Sequence, residues 1–225
     1  LSEEVIKRKA QAGIAFDGDA DRCLCVDENG KVIDGDMMIA LFASNLKEEG
    51  KLDGNMVAVT VLSNLGFFKF AEENDMNAEI TGVGDRYVLE RMLEKNIKIG
   101  GEQSGHIIFL DHATTGDGEL SGVKMMEILR KSGKKMSELS KIMHRYPQVM
   151  INITVTKEGK TLWEQDEEIK AEIEKSEKEL NGDGRILVRA SGTEPLLRVM
   201  IEGREFEKIN ILANNIGNII KEKYS

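Results

Sequence analysis

Three aspartates, Asp17, Asp19 and Asp21, stand at every second position in the stretch GIAFDGDADRCLCVDENG, residues 13–30. Like charges this close repel one another, and a solvated turn needs no such regularity. Three carboxylates converging on one hard divalent cation would account for them, with backbone carbonyls or water completing the shell. Arg22 follows directly. A cation-bound carboxylate cluster beside a guanidinium suits the clamping of a phosphoryl group. A calcium-binding helix–loop–helix would use Asp17, Asp19, Asp21 and Glu28, but Arg22 sits where its sharp turn demands glycine, and the flanks are short apolar runs. A plain acidic turn is the remaining alternative.

Further loops carry groups of a related kind. GEQSGH (101–106) sets Glu102, Gln103, Ser104 and His106 between glycines at the end of an apolar strand, where open α/β sheets place ligand contacts. Glu102 and Ser104 are candidates for bonding sugar hydroxyls, and the imidazole of His106 for proton transfer. His112 and His144 have the structural default of isolated histidines. RASGTEPLLR (189–198) carries Arg189 and Arg198 around Ser191, Gly192 and Thr193. Its guanidiniums, hydroxyls and backbone N–H groups make a phosphate cradle, with an ordinary β-hairpin as the alternative. TGVGDRYV (81–88) opens a helix after a glycine turn, where an anion could sit or where Asp85 could simply cap the helix.

The elements that must hold these loops alternate between strand and helix. GIAF and CLCVD flank the aspartates. DGDMMIALFASNLKEEG reads as a helix capped by Asp34 or Asp36 and stopped by Gly50. NMVAVTVL, AEIT, IKIGG and IIFL read as strands; GFFKFAEEND, DRYVLERMLEKN and ELSGVKMMEILRKSG read as helices. Continuous apolar strands alternating with amphipathic helices predict a parallel sheet covered on both faces. From about residue 147 the pattern changes to β-α-β-β-α: VMINITVT, a charged helix over LWEQDEEIKAEIEKSEKELNGDG, the strands RILVRA and LLRVMIEG, and a last helix. Leu162, Ile169, Ile173 and Leu180 recur near helical spacing, so the charged stretch is expected to be a packed amphipathic helix.

The chain has 225 residues, 40% apolar and 32% charged, enough for two domains. Its net charge of -9 argues against non-specific binding to nucleic acid or anionic lipid. No run approaches the ~20 apolar residues of a membrane span. Cys23 and Cys25 would share one face of a strand near the ~6.8 Å limit for bridged Cα atoms, so free thiols and a reducing cytoplasm are expected. The opening LSEEVIKRKA, without Met, suggests a fragment entered partway along a helix.

Taken in order, DGDADR, GEQSGH and RASGTEPLLR resemble the metal, sugar and phosphate loops of the α-D-phosphohexomutase family, from the first strand to the last. Gln103, TGVGDRYV and TTGDG are most similar to its phosphoglucosamine mutase branch; Ala190 departs from the Arg-Pro-Ser usual there. The resemblance implies an α/β/α domain with a mixed sheet and a smaller C-terminal α+β domain of TATA-box-binding-protein-like fold. It divides the chain into the end of domain 2 with the metal loop (1–30), domain 3 (31–146) and domain 4 (147–225). It implies that Asp17, Asp19 and Asp21 ligate one Mg²⁺, that Arg22 and His106 are catalytic, and that Glu102, Ser104, Asp85, Arg189, Ser191, Gly192, Thr193 and Arg198 bind substrate. The implied reaction interconverts glucosamine 6-phosphate and glucosamine 1-phosphate through a phosphoserine and a glucosamine 1,6-bisphosphate. The nucleophilic serine would lie in an N-terminal domain of the same protein, outside this chain, which alone would be inactive. The resemblance is compatible with a homodimer of the full-length protein. Mannose or glucose phosphates as substrates, and a non-catalytic phosphosugar- or metal-binding module, are the alternatives.

Overall fold

The computed structural model describes residues 1–225, which form two compact units, Leu1–Arg145 and Tyr146–Ser225. The first begins with helix α1 (Ser2–Arg8) and strands β1 (Ala12–Phe16), β2 (Cys23–Asp27) and β3 (Val32–Ile33), paired antiparallel in the order β1-β2-β3. β1 and β2 pair antiparallel because the link 17–22 is far shorter than the crossover of about a dozen residues that a parallel pair requires. Asp27 closes the β2–β3 turn by accepting the N–H groups of Asn29 and Lys31, with Gly30 at φ 82°. Cys23 and Cys25 are free and buried. The Cys25 thiol, hydrogen-bonded to Cys23 and out of water, is pushed well above its usual pKa.

Helix α2 (Gly35–Glu48) starts at Asp34, whose carboxylate accepts the Met37 N–H at 3.1 Å. Every residue from Gly35 to Ala43 is buried, so α2 runs through the core of the unit. Strand β4 (Met56–Thr60), helix α3 (Leu65–Glu73), strand β5 (Asn77–Thr81), helix α4 (Asp85–Lys95), strands β6 (Ile99–Gly101) and β7 (Ile107–Phe109), and helices α5 (Gly118–Ser132) and α6 (Met136–Leu139) complete the unit. The sheet order is β5-β4-β6-β7. β4 pairs parallel with β5 and β6, whereas β7 runs antiparallel to β6 with Gly101 opposite Ile107. The sheet is therefore mixed, for the reason that makes β1 and β2 antiparallel: loop 102–106 is too short to cross over. Alternation divides its side chains between two cores. Val57, Val59, Ile107 and Phe109 pack with Phe42, Phe67 and Met125 on one face, and Ala58 and Ile108 with Val88, Met92 and Ile97 on the other.

The second unit has strand β8 (Gln148–Thr154), helices α7 (Gly159–Leu162) and α8 (Glu167–Leu180), strands β9 (Gly184–Ala190) and β10 (Leu196–Gly203) and helix α9 (Phe206–Tyr224). Its sheet is antiparallel in the order β8-β10-β9. Ile153, Leu197, Val199 and Ile201 meet Ile169, Leu180, Ile209, Leu212 and Ile216 in one core. The charged stretch is not one helix. After α7 comes a 3₁₀ turn at Trp163–Gln165, and Asp166, in extended geometry, caps α8 by accepting the Glu168 and Ile169 N–H groups. Leu162 thus falls outside α8 and is 48% exposed. No helix in either unit is long and apolar enough to cross a membrane.

Two stability effects follow from this packing. A Cβ at Gly66, in the first turn of α3, would collide with the His144 carbonyl oxygen, whereas at Gly192 it would meet nothing within 4 Å. Gly66→Ala should cost about 2 kcal/mol or more in denaturant unfolding, and Gly192→Ala almost nothing. Asp166 also accepts from Lys223 and the Tyr224 hydroxyl, and principally Lys223 lowers its pKa to about 2 from an ordinary 3.8. A depressed carboxylate pKa adds stability that is present above about pH 4 and is lost as pH falls towards 2. With Lys223 a third exposed, that contribution is about 1 kcal/mol. Fluorescence of Trp163, the only tryptophan, should report acid unfolding of the second unit whose pH dependence is flatter in Asp166→Asn.

Candidate functional site

The β1–β2 hairpin turns through residues 17–22, with Ala20 at φ 60° in the left-handed region that β-carbons disfavour. This turn draws the three aspartates together. One carboxylate oxygen from each of Asp17, Asp19 and Asp21 lies within 4.8 Å of the others. The backbone N–H of Arg22 donates to Asp17 at 3.2 Å, and its guanidinium Nε lies 3.7 Å from Asp17 and 3.8 Å from Asp21. Asp21 Oδ1 is buried without a hydrogen-bond partner. An orphaned, buried carboxylate oxygen among two further carboxylates fits a hard cation such as Mg²⁺.

Loop 101–106 is fastened directly to this turn. Arg22 and His106 form an isolated antiparallel bridge, and the Cys23 N–H donates to the Gly105 carbonyl at 3.1 Å. Gly105, at φ 93°, has no alternative here, because a Cβ would overlap the Cys23 carbonyl. From the other side the Gly35 N–H donates to the Gln103 carbonyl at 2.9 Å, and a Cβ on Gly35 would collide with the Glu102 carbonyl. Glu102 accepts the Gly84 N–H at 3.2 Å, joining 101–106 to the glycine turn before α4. Asp85 is the first residue of α4 and makes no capping hydrogen bond; Gly84 occupies the cap position. Ser104 is exposed. His106 is buried, with Nδ1 3.0 Å from Asp21 Oδ2 and Nε2 accepting the Gly116 N–H at 2.9 Å. His112 and His144 are exposed.

In the second unit, Arg189 and Arg198 are opposite one another on β9 and β10. Burial, and then the neighbouring Arg198 charge, lowers the Arg189 pKa. Arg198 Nη2 donates to Glu194 at 2.9 Å, while its Nε is buried without a partner. Ser191 is buried and its hydroxyl accepts the Glu194 N–H at 3.3 Å; Gly192 and Thr193 are exposed at the loop tip. Two guanidiniums side by side, one with an unused donor, have the charge and the donors that a dianion would require.

Sequence reasoning missed the backbone groups that hold these side chains. Gly116 and Gly118 each approach the aspartate turn too closely for a Cβ, and the Gly118 N–H donates to the Ala20 carbonyl at 2.9 Å. The Gly-x-Gly spacing in TTGDG was the available signal, as was Gly35 between two aspartates.

Comparisons with known proteins agree with this architecture. Residues 34–146 match the phosphoglucomutase/phosphomannomutase alpha/beta/alpha domain III, and residues 150–218 match the C-terminal domain of the same family. The chain is 54% identical over all 225 residues to the phosphoglucosamine mutase of Caldicellulosiruptor saccharolyticus, covering 50% of that relative. Among solved structures, Aspergillus fumigatus N-acetylphosphoglucosamine mutase superposes with a TM-score of 0.79 at 20% identity, over 93% of this chain and 48% of the other. The same enzyme in complex with GlcNAc-6P and magnesium gives a TM-score of 0.75 at 20% identity, over 93% and 48%. The chain spans about half the length of the curated relatives it matches. With both domain models matched in order along one chain, the protein belongs to the phosphoglucomutase/phosphomannomutase family.

Proposed function

We propose that this chain is the half of a phosphoglucosamine mutase that holds the metal, the sugar and the non-reacting phosphate. The observation that carries the reading is the aspartate turn: three convergent carboxylates, one with a buried orphan oxygen, beside a guanidinium and bridged to GEQSGH. Asp17, Asp19 and Asp21 would hold Mg²⁺, which when bound neutralises charge on a transferring phosphoryl group. Arg22 adds a second positive charge there. Glu102 and Ser104 bond the sugar hydroxyls, with Asp85 at the neighbouring helix start. Arg189, Ser191, Gly192, Thr193 and Arg198 hold the phosphate that is not reacting, with Glu194 giving up its bond to Arg198. Such chemistry is mainly positioning and charge neutralisation.

The phosphoryl carrier in this reading is a phosphoserine in an N-terminal domain of the same protein, as the half-length match to the relatives supports. The full-length protein would convert glucosamine 6-phosphate to glucosamine 1-phosphate through glucosamine 1,6-bisphosphate, in the cytoplasm. Gln103 and the 54% identical relative favour the amino sugar over glucose or mannose phosphates.

The test is a steady-state comparison in the full-length protein. kcat/KM for glucosamine phosphate should exceed that for glucose and mannose phosphates, and Arg198→Ala should raise KM strongly. Equal or reversed preference would move the assignment to a phosphoglucomutase or phosphomannomutase. The 225-residue chain alone should show no turnover, even primed with the bisphosphate.

A further inference from the structure

The proposed function requires Arg198 to leave Glu194, and the way the loop is built gives that exchange a role of its own. We propose that Glu194 is a built-in competitor for the phosphate: its carboxylate contests Arg198, weakens the loop's hold and so speeds release of a bound phosphate. This rests on the reading that residues 189–198 hold the non-reacting phosphate.

The backbone of Glu194 is held at both ends. Its N–H donates to the Ser191 hydroxyl at 3.3 Å, and its carbonyl accepts the Leu196 N–H at 2.8 Å and Lys160 Nζ at 3.0 Å. On either side of it, the Ser191 N–H donates to the Leu196 carbonyl at 2.8 Å, and the Val155 N–H to the Pro195 carbonyl at 3.0 Å. The side chain is free by comparison. It is 55% exposed, and its carboxylate is tied by the bond from Arg198 Nη2 at 2.9 Å. Side-chain rotation alone therefore takes the carboxylate off Arg198 and back, with the loop backbone unchanged.

The ion pair is also incomplete. Arg198 Nε stays buried without a hydrogen-bond partner, a cost that the carboxylate at Nη2 does not remove. Arg189 lies directly opposite on β9, and none of the ion pairs of the second unit includes it. Two guanidiniums against one carboxylate favour a phosphate monoester, which brings close to two negative charges and three acceptor oxygens. Phosphate therefore wins the exchange, but by less than if Arg198 had no partner. An ion pair so exposed on its carboxylate side is weak, so the competition lowers affinity by about 5-fold and not by orders of magnitude. In the proposed reaction the loop must hold one phosphate of the bisphosphate and then, after reorientation, the other. Tighter binding of that intermediate would lower no barrier to transfer and would slow the exchange.

Inorganic phosphate titrated into the 225-residue chain, followed by the NMR signals of the Gly192 amide and the arginine Nε–H groups, tests the role. Glu194→Gln, which keeps the size of the side chain and removes its charge, should bind phosphate about 5-fold more tightly. Arg198→Ala should lose most of the binding. In the full-length protein, Glu194→Gln should lower KM for glucosamine 6-phosphate and lower kcat with it, the pattern of slowed release. Weaker phosphate binding in Glu194→Gln would mean that the carboxylate holds Arg198 in its binding pose, and unchanged binding that it plays no part. Either result would overturn the competitor and leave the loop a phosphate site. Tighter binding with an undiminished kcat would overturn its link to release. If neither the wild-type chain nor Glu194→Gln responds to phosphate at Gly192, the phosphate reading falls, and the competitor with it.

Discussion

The antiparallel bridge between Arg22 and His106 is the constraint on which the first unit's site depends. It joins the aspartate turn of one sheet to the β6–β7 loop of another, and the adjacent bond from the Cys23 N–H to the Gly105 carbonyl repeats the attachment. Without it Asp21 would lose its histidine, and Glu102 and Ser104 would have no fixed relation to the carboxylates. Backbone groups make the bridge, so the register between the two loops is independent of side-chain rotamers.

Close approach of backbones is what makes that bridge compatible with a packed core. Gly35, Gly105, Gly116 and Gly118 each lie where a Cβ would strike a carbonyl oxygen of a neighbouring loop. At Gly105 the positive φ adds a second requirement. These positions surround GEQSGH and the aspartate turn from several sides, so loops that look irregular are over-determined by hydrogen bonds. Such support is what sites need when a ligand must find its groups already oriented.

Electrostatics in both units follow one pattern, despite a net charge of -9. Like charges are crowded together: three carboxylates within 4.8 Å in one unit, two guanidiniums on paired strands in the other. Each cluster is partly balanced by an internal counter-charge, Arg22 among the aspartates and Glu194 on Arg198. Each also contains one buried atom without a hydrogen-bond partner, Asp21 Oδ1 and Arg198 Nε. Repulsion of this kind lowers stability in the empty protein and is relieved by an ion of opposite sign.

Much of this was legible in the linear sequence because its cause is local. Aspartates at alternate positions, arginines bracketing Ser-Gly-Thr, Asp34 before an apolar run and the change to β-α-β-β-α near residue 147 are all short-range signals. Periodicity located most strands and helices for the same reason. It failed where a short link dictated direction: β7 runs antiparallel to β6, because a loop of that length permits only a hairpin. It failed again at Asp166, where a capping carboxylate outweighed a continuous helical pattern and put Leu162 in solvent. The partners of His106 were not legible at all. One is Asp21, 85 residues away, and the other is a backbone N–H that no side-chain pattern encodes. Residue types and spacing determined which groups could do chemistry. Which of them touch, and through which atom, was decided by tertiary packing, because hydrogen bonds between distant loops depend on approach distances that only the folded backbone sets.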